Sequence, residues 1–176
     1  MGVIRRMFLD PTASHLLICT AMGENYYLHS QSKQPRPLGR LRGVIIESVA
    51  WNPSLPTAST REILIGAADG NIYEAFIETS NEFYKKEVKH LKNLHKLPDG
   101  PITGLWVDDL HGKSDMRRVV IGTQTRLFTV EEARVYGASS TVNSRWSTKS
   151  HVHPPEGQHL LLFHPILLAP IPGIAK

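Results

Sequence analysis

Over residues 1–130 apolar and polar residues alternate in short runs, with no long uncapped stripe of 3.6-residue period. The first group is Met7-Phe8-Leu9-Asp10-Pro11, then Leu16-Leu17-Ile18-Cys19, then Gly23-Glu24-Asn25-Tyr26-Tyr27-Leu28, ending before Pro35. A second has the same plan: Val49-Ala50-Trp51-Asn52-Pro53, Ile63-Leu64-Ile65-Gly66, and Gly70-Asn71-Ile72-Tyr73-Glu74-Ala75-Phe76. Gly23 matches Gly70 and Tyr26 matches Tyr73 at one common offset. A third, with Ile121 in the place of Ile65 at a longer offset, is Leu105-Trp106-Val107-Asp108, Val119-Val120-Ile121-Gly122 and Thr125-Arg126-Leu127-Phe128-Thr129.

Each group predicts an extended segment, a gap, and a second pair of extended segments around a tight turn. Asp69-Gly70 is the clearest hairpin signal, because glycine takes a positive φ at little cost. Asp10, Asn52 and Asp108 recur in register and predict Asx turns that close strands, and Pro11 and Pro53 stop the ladder by lacking a donor. Trp51 and Trp106 read as equivalent core aromatics. Units of roughly 40–50 residues are the size of propeller blades. The predicted fold is therefore all-β: a partial β-propeller of about three blades over residues 1–130, followed by an irregular tail over 131–176.

Between the second and third groups, Phe83 to Leu97 carries apolar residues every third position from Val88 to Leu97, a pattern open to a helix or an outer strand. Its lysines, Lys85, Lys86, Lys89, Lys92 and Lys96, read as a solvated face. From about Glu131 the alternation gives way to Gly-Ala-Ser-Ser-Thr-Val-Asn-Ser and a Pro- and His-bearing end. The patch Leu160 to Ala169 is broken by His164-Pro165 and falls short of the roughly 20 residues of a spanning helix.

Composition sharpens this picture only at the margins. Hydrophobic residues at 41% and charged residues at 20% are those of a folded soluble domain. A net charge of +4, spread along the chain, gives weak attraction to acidic surfaces and no nucleic-acid interface. The lone cysteine, Cys19, sits in an apolar run and reads as a buried small hydrophobe; no disulfide framework exists, which fits a cytosolic chain.

Candidate chemistry is sparse. His151, His153, His159 and His164 cluster without zinc-motif spacing or a partner Cys or acid, so no metal site is expected. Ser14-His15 belongs to no nucleophile elbow, and neither a phosphate loop nor a dinucleotide fingerprint is present. No catalytic or cofactor-binding residue is expected, and no small-molecule substrate.

Several ordered stretches carry a family likeness: Arg6 to Ile18, Glu47 to Asn52, Ile63 to Gly66, Gly70 to Ala75, then Pro37-Leu38, Leu41-Arg42-Gly43 and Arg126-Leu127-Phe128. Together, over roughly residues 3 to 130, the chain resembles the deep-orange family of endosomal and vacuolar tethering subunits. The resemblance implies a propeller within the HOPS and CORVET tethering complexes, with other tethering subunits, SNARE and Rab proteins as partners, peripheral to the late endosome or vacuole. The family plan adds an α-solenoid and a RING-type zinc domain that have no counterpart here, so neither their assembly role nor their activity carries over. A generic peptide-binding propeller in an unrelated complex is the second reading, and an enzyme built on a propeller channel the third. About three blades leave open apolar faces, which promote self-association or chaperone capture.

Overall fold

The computed structural model describes residues 2–52, 59–78, 88–109, 116–133 and 149–151. They form three four-stranded antiparallel sheets in succession along the chain. Sheet 1 is β1 (Ile4–Leu9), β2 (His15–Thr20), β3 (Asn25–His29) and β4 (Arg36–Pro37). Sheet 2 is β5 (Ile46–Ala50), β6 (Ser59–Ala67), β7 (Asn71–Glu78) and β8 (Val88–Lys96). Sheet 3 is β9 (Gly104–Asp109), β10 (Met116–Gly122), β11 (Leu127–Ala133) and β12 (Lys149–His151), the last pairing with β11. Each sheet is a meander of neighbouring strands, as in a propeller blade. The all-β, three-bladed reading of the sequence is borne out.

Turn chemistry sets the blade frame. Gly70 takes φ +83° in the β6–β7 turn and Gly23 takes φ +73° in the β2–β3 turn, each closing back on the third residue before it through its N–H. In sheet 3 no glycine stands at that corner. Instead the Thr123 hydroxyl accepts from the N–H groups of Thr125 and Arg126, holding the turn with a side chain.

Pairing registers give each blade two faces. Leu17 lies opposite Phe8, Leu64 opposite Ala50 and Val120 opposite Trp106; these define the forward face, turned toward the following sheet. Ile18, Ile65 and Ile121, one residue on, lie on the back face with Met7, Val49 and Leu105 as partners. Phe8, Leu17, Cys19 and Tyr27 of sheet 1 pack on Val49, Ile63, Ile65, Ala75, Ile77 and Val88 of sheet 2. Ala50, Leu64 and Ile72 of sheet 2 pack in turn on Ile102, Val119, Ile121, Phe128 and Val130. One interface is thus built twice, with an aliphatic core at each seam.

The Asx-turn reading holds at Asp10. Buried Asp10 accepts from the N–H of Thr12 at 2.8 Å, from the Thr12 hydroxyl and from the N–H of His15 at 2.5 Å, spanning the β1–β2 loop. Asn52 donates to the carbonyl of Glu62 across the sheet, 3.2 Å away, and the residues that would follow it in a turn lie outside the described residues. Asp108 does not end a strand: it sits inside β9, opposite Arg118. Pro53 lies outside the described residues.

Burial alone would raise the Asp10 carboxyl, but the Thr12 hydroxyl and the His15 and Thr12 N–H groups outweigh it and hold the group below its ordinary value of 3.8. A depressed folded value means stabilisation that is full above the unfolded value and is lost as pH falls through the folded one. Asp10→Asn is accordingly expected to lose about 2 kcal/mol at pH 7. In urea titrations the gap between the two proteins should close as the pH is taken below 3.8; an unchanged gap would assign the loss to geometry rather than charge.

Candidate interaction surfaces

Residues with chemical potential gather at the first seam. His15 and His29, both buried, stand 5.4 Å apart between ring centroids, and the His15 Nδ1 lies 2.6 Å from the Tyr27 hydroxyl. Trp51 stacks on His15 at 6.4 Å from the opposing sheet, and the Arg36 guanidinium lies 5.4 Å over the Tyr27 ring. Burial pushes the Tyr27 phenol far up, against the pull of Arg36, so it stays protonated. These groups face each other rather than solvent, and the arrangement serves packing. The sequence reading singled out Ser14-His15 for its lack of a nucleophile motif and missed this cluster. Its signal was the shared face of residues 15, 27 and 29, visible only once β2 and β3 are paired.

Two ionic clasps bridge the seams. Glu47 on β5 takes Arg5 and Arg6 of β1 at 2.6 and 3.0 Å. Glu74 on β7 takes Arg117 of β10 at 2.6 Å and lies 3.4 Å from His90 Nε2. The first pair of cations is half in water, while the Arg117 side chain keeps only 6% of its surface exposed. Cys19 is buried as expected, and burial pushes its thiol up to about 12, leaving no thiolate for chemistry near neutrality.

An open groove of about 350 Å³ lies where the crossover between sheets 1 and 2 meets the β6–β7 turn. It is lined by Arg42, Gly43, Val44, Ile45, Ala68, Asp69 and Tyr73, a mixed surface with one cation, one anion and one phenol. The crossover behind it is fixed from sheet 1: the Asn25 side-chain amide donates to the carbonyls of Leu41, Val44 and Gly23 at 2.7, 2.8 and 3.3 Å.

The end sheets carry the remaining surfaces. On the back of sheet 1, Met7 and Leu9 are 61% and 57% exposed; on the front of sheet 3, Trp106 and Leu127 are 48% and 44% exposed. Trp106 therefore corrects the expected equivalence with Trp51. By pairing, Trp106 takes the place of Ala50, while Trp51 lies one residue further along, so the two indoles fall on opposite faces. Trp51 packs into the first seam and Trp106 does not enter one.

Val88 to Lys96 proves to be the outer strand β8 rather than a helix, with Lys92 and Lys96 exposed as a solvated edge. Lys85, Lys86, His153, His159 and His164 lie outside the described residues; of His151 only the backbone, in β12, is described. Among the described residues no helix is long and apolar enough to cross a membrane, and no group of three His, Cys, Asp or Glu side chains is placed to hold a metal.

Comparison with known proteins gives one consistent result. The family described as the Pep3/Vps18/deep orange beta-propeller domain matches residues 1–156, a span that runs past the residue-130 limit of the likeness read from the sequence. The chain is 34% identical over 131 residues to vacuolar sorting protein 18 of Arabidopsis thaliana, covering 72% of this chain and 13% of that one. Identity is also 34% over 132 residues to the vacuolar protein sorting-associated protein 18 homolog of Danio rerio, covering 71% and 13%. With the vacuolar membrane protein pep3 of Schizosaccharomyces pombe it is 30% over 98 residues, covering 56% and 11%. The chain spans about one eighth of the length of these relatives.

Proposed function

The chain belongs to the Pep3/Vps18/deep orange beta-propeller family, and from that premise we propose that it is a non-catalytic protein-interaction module of a membrane-tethering complex in vacuolar sorting. Membership carries the reading, supported by relatives named for vacuolar sorting in a plant, a fish and a yeast. Its finer content is a HOPS- or CORVET-type complex, contacts with other tethering subunits and with SNARE or Rab proteins, and a peripheral station on the late endosome or vacuole during docking and fusion. The geometry is compatible with this role. His15, Tyr27 and His29, the described side chains best suited to proton chemistry, are spent on packing the first seam. Exposed side chains such as Met7, Leu9, Lys92 and Trp106 instead offer surface.

Tagged chain crosslinked in cell lysate and analysed by mass spectrometry is the direct test. Enrichment of vacuolar sorting tether subunits over a tag-only control is the expected outcome. Recovery of only chaperones or of subunits of an unrelated complex would overturn the tethering role and leave the fold standing.

A further inference from the structure

We infer that the groove between the first crossover and the β6–β7 turn is a peptide-binding site, taking a short extended segment of a partner protein that carries one acidic and one basic residue, the acid on Arg42 and the base on Asp69. The inference rests on the geometry of the first seam and is independent of which complex the chain serves. Its warrant is a difference between the two crossovers. Gly43 and Gly100 both take φ +85°, and each lies against the turn glycine of the sheet the chain is leaving, Gly43 on Gly23 and Gly100 on Gly70. The residues just before them, Arg42 and Asp99, therefore hold equivalent places. At the second seam an ion pair crosses from crossover to turn: Asp99 meets Arg126 of the β10–β11 turn at 3.6 Å. At the first seam the signs are exchanged, with Arg42 on the crossover and Asp69 on the turn, and the two do not pair. Among the described residues the Arg42 guanidinium has neither a hydrogen-bond nor an ion-pair partner.

Asp69 is held in place and still open to a cation. Its carboxylate accepts from the N–H of Asn71 at 3.1 Å and from the Asn71 side-chain amide, whose own carbonyl accepts from Asn93 at 3.0 Å. A carboxylate offers about four lone-pair sites, so these neutral donors orient it and leave its charge uncompensated. Desolvation, and after it the Asp69 charge, pushes the Tyr73 phenol up, so it keeps its proton as a donor in the groove. The two walls are tied together: the Gly43 N–H donates to the Gly23 carbonyl and the Ala68 N–H to the Ile45 carbonyl, each at 2.9 Å. Arg42 and Asp69 are exposed, whereas Val44, Ile45, Ala68 and Tyr73 are half-buried, so the lining joins two opposite charges to a partly apolar surface. That surface suits the aliphatic stems and amide planes of a peptide. A lipid headgroup bearing the same two charges would leave it wet. At about 350 Å³ the groove lies at the lower end of the roughly 300–1,000 Å³ of ligand sites, which fits a few residues rather than a folded domain.

End-blocked peptides of the forms Glu-(Gly)n-Lys and Lys-(Gly)n-Glu, with n from one to three, titrated into the isotope-labelled whole chain and followed by amide NMR shifts, test this. Saturable shifts confined to residues 42–45 and 68–73, stronger for one order of the two charges, are expected. No saturable shift there with any member of the set would overturn the inference. Arg42→Gln and Asp69→Asn should each weaken the best peptide at least tenfold, with far-UV circular dichroism confirming that both keep their sheets. Exchanging the charges, in Arg42→Asp with Asp69→Arg, should transfer the preference to the opposite peptide order, which a merely structural role for either residue would not do; a preference that stays with the original order would overturn the assignment. Equal binding of a peptide whose lysine is replaced by glycine would reduce the groove to an anion site. Saturation by glycerophosphoethanolamine in place of every peptide would assign it to a membrane surface. Either result would sink the peptide reading.

Discussion

Replacing Gly70 by valine should cost about 3 kcal/mol or more, a large fraction of the roughly 5–15 kcal/mol that stabilises a typical domain, and should move the urea midpoint far down. Two terms add. Gly70 takes φ +83°, and an L side chain in that left-handed region costs roughly 1–2 kcal/mol. The second term is steric: a Cβ at this place would fall well inside van der Waals contact distance of the Leu97 carbonyl oxygen and 3.1 Å from that of Gly100. Neither neighbour is a side chain that can swing away. Leu97 is fixed in turn by its own N–H on the Gly70 carbonyl at 2.9 Å, so moving it breaks the bond that starts the crossover to sheet 3. Overpacking of this kind adds about 1–3 kcal/mol. Two further variants separate the terms. Gly100 has φ +85° with nothing within 4 Å of a Cβ, so Gly100→Ala carries the conformational cost alone, about 1 kcal/mol. Gly39 has neither constraint, and Gly39→Ala should be close to neutral. Urea midpoints in the order Gly39→Ala, Gly100→Ala, Gly70→Val are the expected result; equal losses at residues 70 and 100 would remove the steric argument.

The second large effect lies at the seam between sheets 2 and 3. Glu74→Ala takes a carboxylate from an Arg117 side chain that is 6% exposed, so water replaces that partner poorly. Breaking such a pair from one side costs about 3 kcal/mol. The matching change at the other seam should be mild, because Arg5 and Arg6 are solvated, and Glu47→Ala is expected to cost about 1 kcal/mol. Removing the cation as well, in Glu74→Ala with Arg117→Met, should recover most of the loss, since a flexible apolar side chain fills the space without a charge to satisfy. Thermal melts of the four proteins read this directly. A double variant no better than Glu74→Ala would show that the carboxylate acts through packing.

Much of this architecture was legible in the chain because its blades obey local rules. Strands alternate with period two and turns need glycine at fixed offsets, so sheets 1 and 2 can be drawn from Gly23, Gly70 and the runs before them. What failed depended on pairing. Trp51 and Trp106 match in composition and disagree by one residue in register, which moves a side chain to the other face. The three-residue spacing of Val88, Leu91, Leu94 and Leu97 suggests a helix because β8 carries two irregularities. Ile77 pairs with Val88 and Phe76 with His90, skipping Lys89; Tyr73 pairs with Asn93 and Ile72 with His95, skipping Leu94. Each extra residue stretches the alternation. Strands as short as Arg36–Pro37 and Lys149–His151 have too few residues to show any period. The candidate surfaces were less legible than the fold. Exposure of Met7, Leu9 and Trp106 follows from which sheet faces which, and no window of sequence contains that.

The grip of Asn25 on the first crossover also limits how modular the blades are. By pairing, the residue that holds three carbonyls in sheet 1 corresponds to Ile72 in sheet 2 and Leu127 in sheet 3, side chains that donate nothing. The three blades share a frame and have specialised within it. A permuted or recombined chain that put the second blade in the first position would keep its aliphatic seam but release the 41–44 crossover, and with it one wall of the groove at Arg42 and Tyr73. The order of the blades is therefore written into their turns as well as into their cores.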